Sequence, residues 1–148
     1  MKQKIALIAL VLMALLFVFL RLRGARPREH TIRVGTTNVT VEIADTVGKQ
    51  RQGLSGRSRL VEGHGMYFPM STSALHSFWM KDMQFPLDII WIRDGRIVDI
   101  SENVPYPVGD HTPVSVQPKE LTTGVLEVNA DFTEKHGTKI EDTVTMLP

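Results

Sequence analysis

The residue with the most unusual chemical setting is Asp88, an aspartate in the apolar stretch FWMKDMQFPLDIIWI at residues 78–92. Both tryptophans of the chain and two of its seven methionines lie in this stretch. Burial of a carboxylate there is costly unless charged or hydrogen-bonded partners offset its desolvation. Two interpretations follow: a structural ion pair, with Arg57 or Arg51 as the first candidates, or a general base or ligand contact with a raised pKa.

Methionine and histidine side chains cluster before and within the same stretch. Four of the seven methionines lie within residues 66–83, near two histidines and a tryptophan; the candidates are Met66, Met70, Met80, Met83, His64, His76 and Trp79. Thioether and imidazole groups are ligands for soft ions such as Cu(I). Methionine also fills gaps in apolar cores. A soft-metal (copper) site is therefore an alternative interpretation, and nothing else in the sequence suggests a cofactor.

A second group of polar residues lies near the C-terminus. The predicted strand at residues 125–130 places Glu127 and Asn129 on one face, and the irregular segment at residues 104–118, with four of the eight prolines, precedes it. Long loops of this kind often form binding sites, and Tyr106 lies in this one. The predicted ligand-binding residues are Trp79, Lys81, Asp88, Tyr106, Glu127 and Asn129.

The sequence motifs do not decide whether the protein is an enzyme. His76, His111, Glu127 and Asp88 could converge with a serine, but there is no Gly-x-Ser-x-Gly elbow and no His-Glu-x-x-His sequence. A small hydrolase-like enzyme that uses the same pocket is therefore the alternative to a binding module.

Short strands must position these residues. Alternating apolar residues predict strands at residues 31–34 and 38–44 around Gly35, and a further strand at residues 63–70 that ends at Pro69. Residues 85–92 are apolar on both faces, which is typical of a central strand. The Asp94-Gly95 pair predicts a hairpin into residues 97–100, and residues 143–147 form a last strand.

Two short helices are also predicted. Asp45 and Thr46 can cap a helix that begins after them and ends near Gly56. Asp131 can cap a second helix, which ends at Gly137. Residues 78–83 are expected to form a turn that carries Trp79 and Lys81 toward the site.

The N-terminus has the pattern of a signal anchor. Residues 5–20 are sixteen consecutive apolar residues, with two lysines before them and four arginines within the eight residues after them. A poor cleavage site favours an uncleaved anchor over a removed signal peptide, although the balanced flanking charges do not decide its orientation. We expect a signal anchor or signal peptide at residues 1–25, a linker at 26–30 and a single domain at 31–148.

The charge distribution argues against nucleic-acid binding. Six of the 17 basic residues precede residue 29, whereas all 16 acidic residues follow residue 28, which leaves 11 basic against 16 acidic residues, a net charge of −5. A phosphate-binding surface needs clustered lysine and arginine. The absence of cysteine also excludes disulfides and thiolate chemistry.

The chain resembles the uncharacterised family known as domain of unknown function 192 (DUF192). The resemblance covers about residues 39–144 and is carried by QGLSGR at residues 52–57, GMYF at 65–68, FWMKDMQFPLDIIWI, GRIVDI and VLEVNA. The family tends to have a glycine where this chain has Asp131. The resemblance implies a small, mostly β, barrel-like fold and implies no established reaction.

Together these features predict a mostly β (α+β) protein. It has a small barrel-like antiparallel sheet and two short helices, preceded by one N-terminal hydrophobic helix. We expect a module tethered to the cell inner membrane with its domain outside the cytoplasm, or secreted to the periplasm after cleavage. Its other partner is expected to be a small ligand or a protein.

Overall fold

The computed structural model describes residues 10, 12–14, 17, 29–109 and 112–148. From Glu29 onward, the described residues form nine strands and two short helices, in chain order β1 Glu29–Val34, β2 Thr37–Ile43, α1 Val47–Gln52, β3 His64–Ala74, β4 Phe78–Trp79, β5 Leu87–Arg93, β6 Arg96–Val104, β7 Ser115–Val116, β8 Thr122–Asn129, α2 Phe132–His136 and β9 Val144–Met146. The predicted mostly β fold with two short helices is confirmed.

Seven strands form one curled, half-barrel sheet in the order β6-β5-β8-β3-β2-β1-β9. All its neighbours are antiparallel except β2 and β3, which run parallel because α1 lies in the connection between them. Near one end, Ile97 donates to the carbonyl of Asp142 at 3.0 Å and Val144 donates to that of Gly95 at 2.8 Å. These bonds join β6 and the turn before it to β9 and the segment before it, so the sheet curls toward closure.

The two faces of this sheet have separate apolar cores. On one face the buried residues include Leu54, Met66, Phe68, Leu87 and Trp91. The other face buries a different set of residues: Ile32, Val34, Val39, Val41, Ile90, Ile92, Ile97, Leu126, Val128 and Phe132. Because neighbouring residues of a strand point to opposite faces, β5 and β8 contribute to both cores. This agrees with the prediction that residues 85–92 are apolar on both sides.

Two segments differ from their predicted structure. Strand β3 continues beyond Pro69 to Ala74, because the pairing with β8 shifts register after Pro69 and the missing N–H is accommodated there. The predicted turn at residues 78–83 begins with β4, whose Phe78 pairs with Val116 of β7 in a second, two-stranded sheet. The proline-rich segment therefore contains a strand and lies beside β4.

The helix caps agree with the prediction at one helix and differ at the other. The Thr46 side chain accepts a hydrogen bond from the Lys49 N–H at 3.3 Å, as a capping residue should. The predicted cap by Asp131 is wrong, because its side chain makes no capping bond and its backbone is left-handed, with φ 65°. A left-handed backbone is adopted more readily by glycine than by aspartate, so the glycine that the family resemblance implies at this position would fit it.

The N-terminal prediction lies mainly outside the described residues. Residues 10, 12–14 and 17 are helical, while the rest of the predicted anchor at residues 1–25 is not described. In the part of the chain that the structure covers, we find no helix with the length and apolar character required to cross a membrane. Strand β1 begins at Glu29, inside the predicted linker.

Candidate functional site

Glu127 lies in the middle of β8, between the neighbouring strands β3 and β5. It is opposite Met66 on one side and Ile89 on the other, both of which belong to the core that contains Trp91. Its exposed fraction is 7%. The alternation of VLEVNA predicted the face on which Glu127 lies, and the structure adds that this face is covered.

The carboxyl group of Glu127 has an unsatisfied oxygen. Among the described residues no hydrogen-bond donor reaches Oε2, which is buried. Desolvation by burial raises the pKa of Glu127 to about 8, and the nearby positive charge of Arg57 opposes this increase. A buried acceptor without a partner costs on the order of 1–3 kcal/mol, so such groups call for an explanation.

Arg57 does not neutralise Glu127 directly, because it is engaged by another carboxylate. Its two terminal nitrogens donate to Glu42 Oε1 and Oε2 at 2.6 and 2.9 Å. This bidentate pair lowers the pKa of Glu42 and raises that of Arg57. The charge of the Arg57 guanidinium lowers the pKa of Glu127, although its hydrogen-bond donors point to Glu42 on β2.

The turn after α1 covers the carboxyl group. The helix ends at Gly53, which has φ 50° and ψ −134°, a conformation that strongly favours glycine. A Cβ atom at Gly53 would lie 3.9 Å from Glu127 Oε2 and 3.6 Å from Phe68 Cζ. The absence of a side chain at this position thus keeps the space beside the carboxylate open.

Hydrogen bonds fix this turn to the segment that follows β4. Ser55 Oγ donates to the Lys81 carbonyl at 2.8 Å, and the Gly56 N–H donates to the Asp82 carbonyl at 2.8 Å. Two motifs that are far apart in the sequence, QGLSGR and FWMKDM, are therefore held together. Their junction forms the wall of a cleft.

The cleft has a small inner part and a larger outer part. The inner cavity, of about 30 Å³, is lined by Glu127, Gly53 and Met83 together with neighbouring residues of α1 and β4. The outer cavity, of about 320 Å³, extends past Met70 and His76 to the surface. Five residues line both cavities, so the two lie side by side: Gln50, Arg51, Phe68, Phe78 and Trp79.

Aromatic rings form much of the cleft wall. Phe68 and Phe78 pack edge to face with their centroids 4.9 Å apart, and Phe78 packs in the same way on Trp91 at 5.6 Å. Trp79 is different, because 59% of it is exposed. A large exposed aromatic side chain at the mouth of a cleft is available for contact with a ligand.

Positive groups lie around the mouth. The Lys81 ammonium is 5.3 Å from the centroid of the Trp79 ring, within the range of a cation–π contact. Arg51 lines both cavities and is exposed. The cleft thus has a carboxyl group at its inner end, aromatic walls and basic groups at its rim.

Of the predicted ligand-binding residues, Trp79 and Glu127 line the cleft, and Lys81 lies beside Trp79 without lining either cavity. Asn129 lies on the same strand face as Glu127, but its Nδ2 donates to the carbonyls of Leu60 and Val61, both at 3.3 Å. Asn129 therefore holds the segment before β3. Tyr106 is 39% exposed and does not line the cleft described above.

Asp88 lies on the opposite face of the sheet, with Ile90 and Ile92, and is fully buried. Its Oδ1 accepts from the Asn103 N–H at 2.8 Å, and its Oδ2 accepts from the N–H and the hydroxyl of Thr133 at 2.9 and 2.7 Å. The predicted ion pair with Arg57 or Arg51 is wrong, because these three donors satisfy the carboxylate and Arg57 pairs with Glu42. Asp88 ties β5 to β6 and α2.

Three of the four methionines of the soft-metal hypothesis lie in the core, and Met70 is partly buried against it. Met66, Met80 and Met83 are 4%, 1% and 6% exposed and pack with Leu54 and Phe68. His64 Nδ1 lies 3.2 Å from the Glu62 carbonyl, and His76 Nε2 lies 2.9 Å from the Thr72 carbonyl. Among the described residues no group of three histidine or carboxylate side chains could hold a metal ion; His111 is outside them.

Several cleft residues were absent from the sequence-based prediction. Gly53, Gln50, Phe68 and Phe78 line it, and Arg51 had been considered solely as a partner for Asp88. The QGLSGR motif was a signal for the turn at Gly53, since two glycines so close together weaken a helix and indicate special backbone geometry. No local feature of the sequence indicated that this turn lies beside Glu127.

Comparison with known proteins places this architecture in a family. The DUF192 profile, described as an uncharacterised ACR, matches residues 30–146. A search of curated proteins found no match. A crystal structure from Sinorhizobium meliloti 1021, of a protein provisionally described as a transcription regulator, has 28% sequence identity and a TM-score of 0.75, over 83% of this chain and 97% of that one.

A second solved structure is similar. This protein of unknown function from Novosphingobium aromaticivorans DSM 12444 has 28% identity and a TM-score of 0.65, over 82% of this chain and 94% of that one. The profile match covers both short helices and all of the sheet except its first residue, Glu29. The chain therefore belongs to the DUF192 family.

Proposed function

We propose that this protein is a membrane-tethered, extracytoplasmic module that binds a small organic ligand in the cleft between α1 and β4. The observation that carries the proposal is the buried Oε2 of Glu127, which has no hydrogen-bond partner in the described part of the chain and lies at the inner end of an open cleft. A ligand with a hydrogen-bond donor would satisfy this oxygen, and its apolar part would fill the aromatic outer cavity. Mostly apolar clefts with a few convergent polar groups are typical ligand sites.

The tether is supported by the sequence of residues 5–20. An uninterrupted apolar run with basic flanks is typical of a signal anchor. Membrane fractionation of cells that express the full chain, followed by protease treatment of intact spheroplasts, tests this part of the proposal. We expect the chain in the membrane fraction and digested from outside; a chain in the soluble cytoplasmic fraction would contradict it.

Ligand binding can be tested with a variant that fills the cleft. Gln50 is exposed and lines both cavities, so Gln50→Trp would narrow the cleft from the α1 side. Lys139→Trp places the same bulk on an exposed position outside the cleft and serves as the matched control.

The measurement is a ligand-observed NMR screen of a fragment library against the full chain in a mild non-ionic detergent. We expect fragments that bind the wild type and Lys139→Trp but bind Gln50→Trp at least about tenfold more weakly. Hits that bind all three proteins equally, or a library without hits, would overturn the proposed cleft.

An enzyme that uses the same cleft is the second candidate. It is favoured by the pKa of about 8 at Glu127, which suits proton transfer near neutral pH. Prolonged incubation with the bound fragments distinguishes the two. Chemical conversion that the wild type catalyses and Glu127→Gln does not would indicate an enzyme, whereas unchanged ligands favour a binding module.

A further inference from the structure

We propose that the ligand carries a primary ammonium group on an apolar body, and that the ammonium occupies the inner cavity and donates to Glu127. This inference rests on the proposed function and adds to it the chemical class of the ligand. Three features of the cleft support it: the unpartnered acceptor, the size of the inner cavity and the composition of the walls.

A donor that also carries positive charge suits this acceptor best. Glu127 Oε2 has no hydrogen-bond partner among the described residues, and the neighbouring Arg57 already donates to both oxygens of Glu42. An ammonium group would supply a hydrogen bond and a positive charge to the same oxygen. Hydrogen bonds between charged partners are about twice as strong as neutral ones, and burial strengthens them further.

The inner cavity limits the size of the head group. Its volume is about 30 Å³, above the roughly 10–15 Å³ that a cavity needs to hold one water-sized group. One –NH₃⁺ group fits such a space. A trimethylammonium or a guanidinium group is larger, so we expect both to bind less well.

The walls favour an apolar body behind the head group. The Cβ position of Gly53 is 3.6 Å from Phe68 Cζ and 3.9 Å from Glu127 Oε2, so the ring edge and the carboxylate border the same space. The outer cavity continues along Phe78, Met70 and Trp79 and is large enough for a ring. A ring there would contact the aromatic side chains of Phe68, Phe78 and Trp79.

Among the described residues, the other charged groups around Glu127 do not donate to its Oε2 in place of a ligand. Glu42 and Arg57 form their own pair, and His76 contacts the Thr72 carbonyl. Arg51 and Lys81 at the rim are exposed, so water and salt screen their repulsion of a bound ammonium.

Proton exchange gives this binding a distinctive pH dependence. Because the pKa of Glu127 is about 8, its carboxyl group is mainly protonated at neutral pH, and an ammonium ligand must displace that proton. Affinity should therefore rise about tenfold per pH unit up to about pH 8, with release of about one proton per ligand. A ligand that accepts a hydrogen bond from the protonated carboxyl would show the opposite trend.

The experiment is calorimetric titration of the full chain in non-ionic detergent with phenethylammonium, between about pH 6 and about pH 8. Each pH is repeated in two buffers of different ionisation enthalpy, which measures the released protons. The comparison ligands are 2-phenylethanol, which lacks the charge, and trimethyl(phenethyl)ammonium, which has the larger head.

We expect phenethylammonium to bind best, to bind more tightly at higher pH and to lose at least about tenfold in affinity with Glu127→Gln. Glu134→Gln, at an exposed position on α2, should bind like the wild type. The cleft-filling Gln50→Trp provides a second variant in case Glu127→Gln fails to fold.

Two results would overturn the inference while leaving the cleft proposal intact. One is stronger binding of 2-phenylethanol or of the trimethyl compound than of phenethylammonium. The other is failure of phenethylammonium to bind although fragments of another class still bind in a way that Gln50→Trp abolishes. Loss of all cleft-dependent fragment binding would instead overturn the proposed function itself.

Discussion

Glu127 carries a carboxyl group in surroundings that oppose its ionisation. The strand neighbours Met66 and Ile89 are apolar, the turn at Gly53 lies above it, and Arg57 is held by Glu42. Its ordinary pKa of 4.5 is raised to about 8 as a result. Such perturbed groups in clefts are candidates for function.

This raised pKa predicts how stability depends on pH. Between about pH 4.5 and pH 8 the folded chain binds more protons at Glu127 than the unfolded chain does. Its contribution to stability is therefore complete below about pH 4.5 and is lost as the pH rises through about 8. At about 1.4 kcal/mol per pH unit, the total loss is at most about 5 kcal/mol.

Urea unfolding of wild type and Glu127→Gln across this range checks the prediction. The wild type should lose stability relative to Glu127→Gln as the pH rises, because glutamine cannot ionise. Glu134→Gln should follow the wild type. Parallel curves for wild type and Glu127→Gln would show that the carboxyl group ionises as easily in the fold as outside it.

Asp88 is the contrasting carboxylate, since both of its oxygens accept hydrogen bonds. Asp88→Asn replaces one acceptor oxygen with an NH₂ group that faces an N–H or a hydroxyl, so we expect a loss of about 2 kcal/mol in the free energy of unfolding. Asp94→Asn, in the exposed β5–β6 turn, should change stability by less than about 0.5 kcal/mol. Equal stability of Asp88→Asn and wild type would contradict the structural role.

At this scale the sequence predicted side-chain orientation better than side-chain partners. The apolar setting of Asp88 and the strand face of Glu127 could be read from alternation. The partners of Asp88 could not, because two of its three donors are backbone N–H groups, which any residue type provides. The cover over Glu127 comes from Gly53, more than seventy residues earlier in the chain.

Among the elements, the contact between β3 and β8 determines where Glu127 lies. Gly65 of β3 packs so closely on β8 that an added Cβ would lie 2.6 Å from the Glu127 carbonyl oxygen. Backbone atoms cannot move aside as a side-chain end can. Glycine at this position therefore sets the separation of the two strands beneath the cleft.

We expect Gly65→Ala to destabilise the fold by about 1–3 kcal/mol and to weaken ligand binding in the cleft, because β8 must move. Gly48→Ala on α1 is the matched control, since nothing lies within 4 Å of its Cβ position and alanine favours helix. Thermal unfolding and the fragment screen measure both effects. Unchanged unfolding in Gly65→Ala would mean that the strands are not in close contact.

The elements themselves were predicted unevenly. Long apolar strands and the Asp94-Gly95 hairpin have strong local patterns, so the sequence predicted them correctly. Strands β4 and β7 have two residues each, too few for any alternation to show, and their pairing joins Phe78 to Val116, which are distant in the sequence. Pro69 predicted the end of β3, but a register shift accommodates it.

For the whole molecule, the decisive contacts join distant parts of the chain. The sheet order places β8 between β3 and β5, and bonds from residues 95–97 to residues 141–144 draw its two ends together. Family resemblance predicted this barrel-like outcome; strand patterns by themselves do not specify which strands pair. The two faces then separate the structural carboxylate Asp88 from the cleft carboxylate Glu127.

That separation allows one direct measurement of the central claim, that the cleft above Glu127 is the ligand site. The full chain is prepared with ¹³C-labelled aspartate and glutamate carboxyl groups, and their NMR signals are followed as a hit from the fragment screen is added. We predict that the Glu127 signal shifts as the ligand saturates the protein. The signal of Asp88, on the opposite face, should not shift. A ligand that saturates the protein and leaves the Glu127 signal unmoved would contradict the claim.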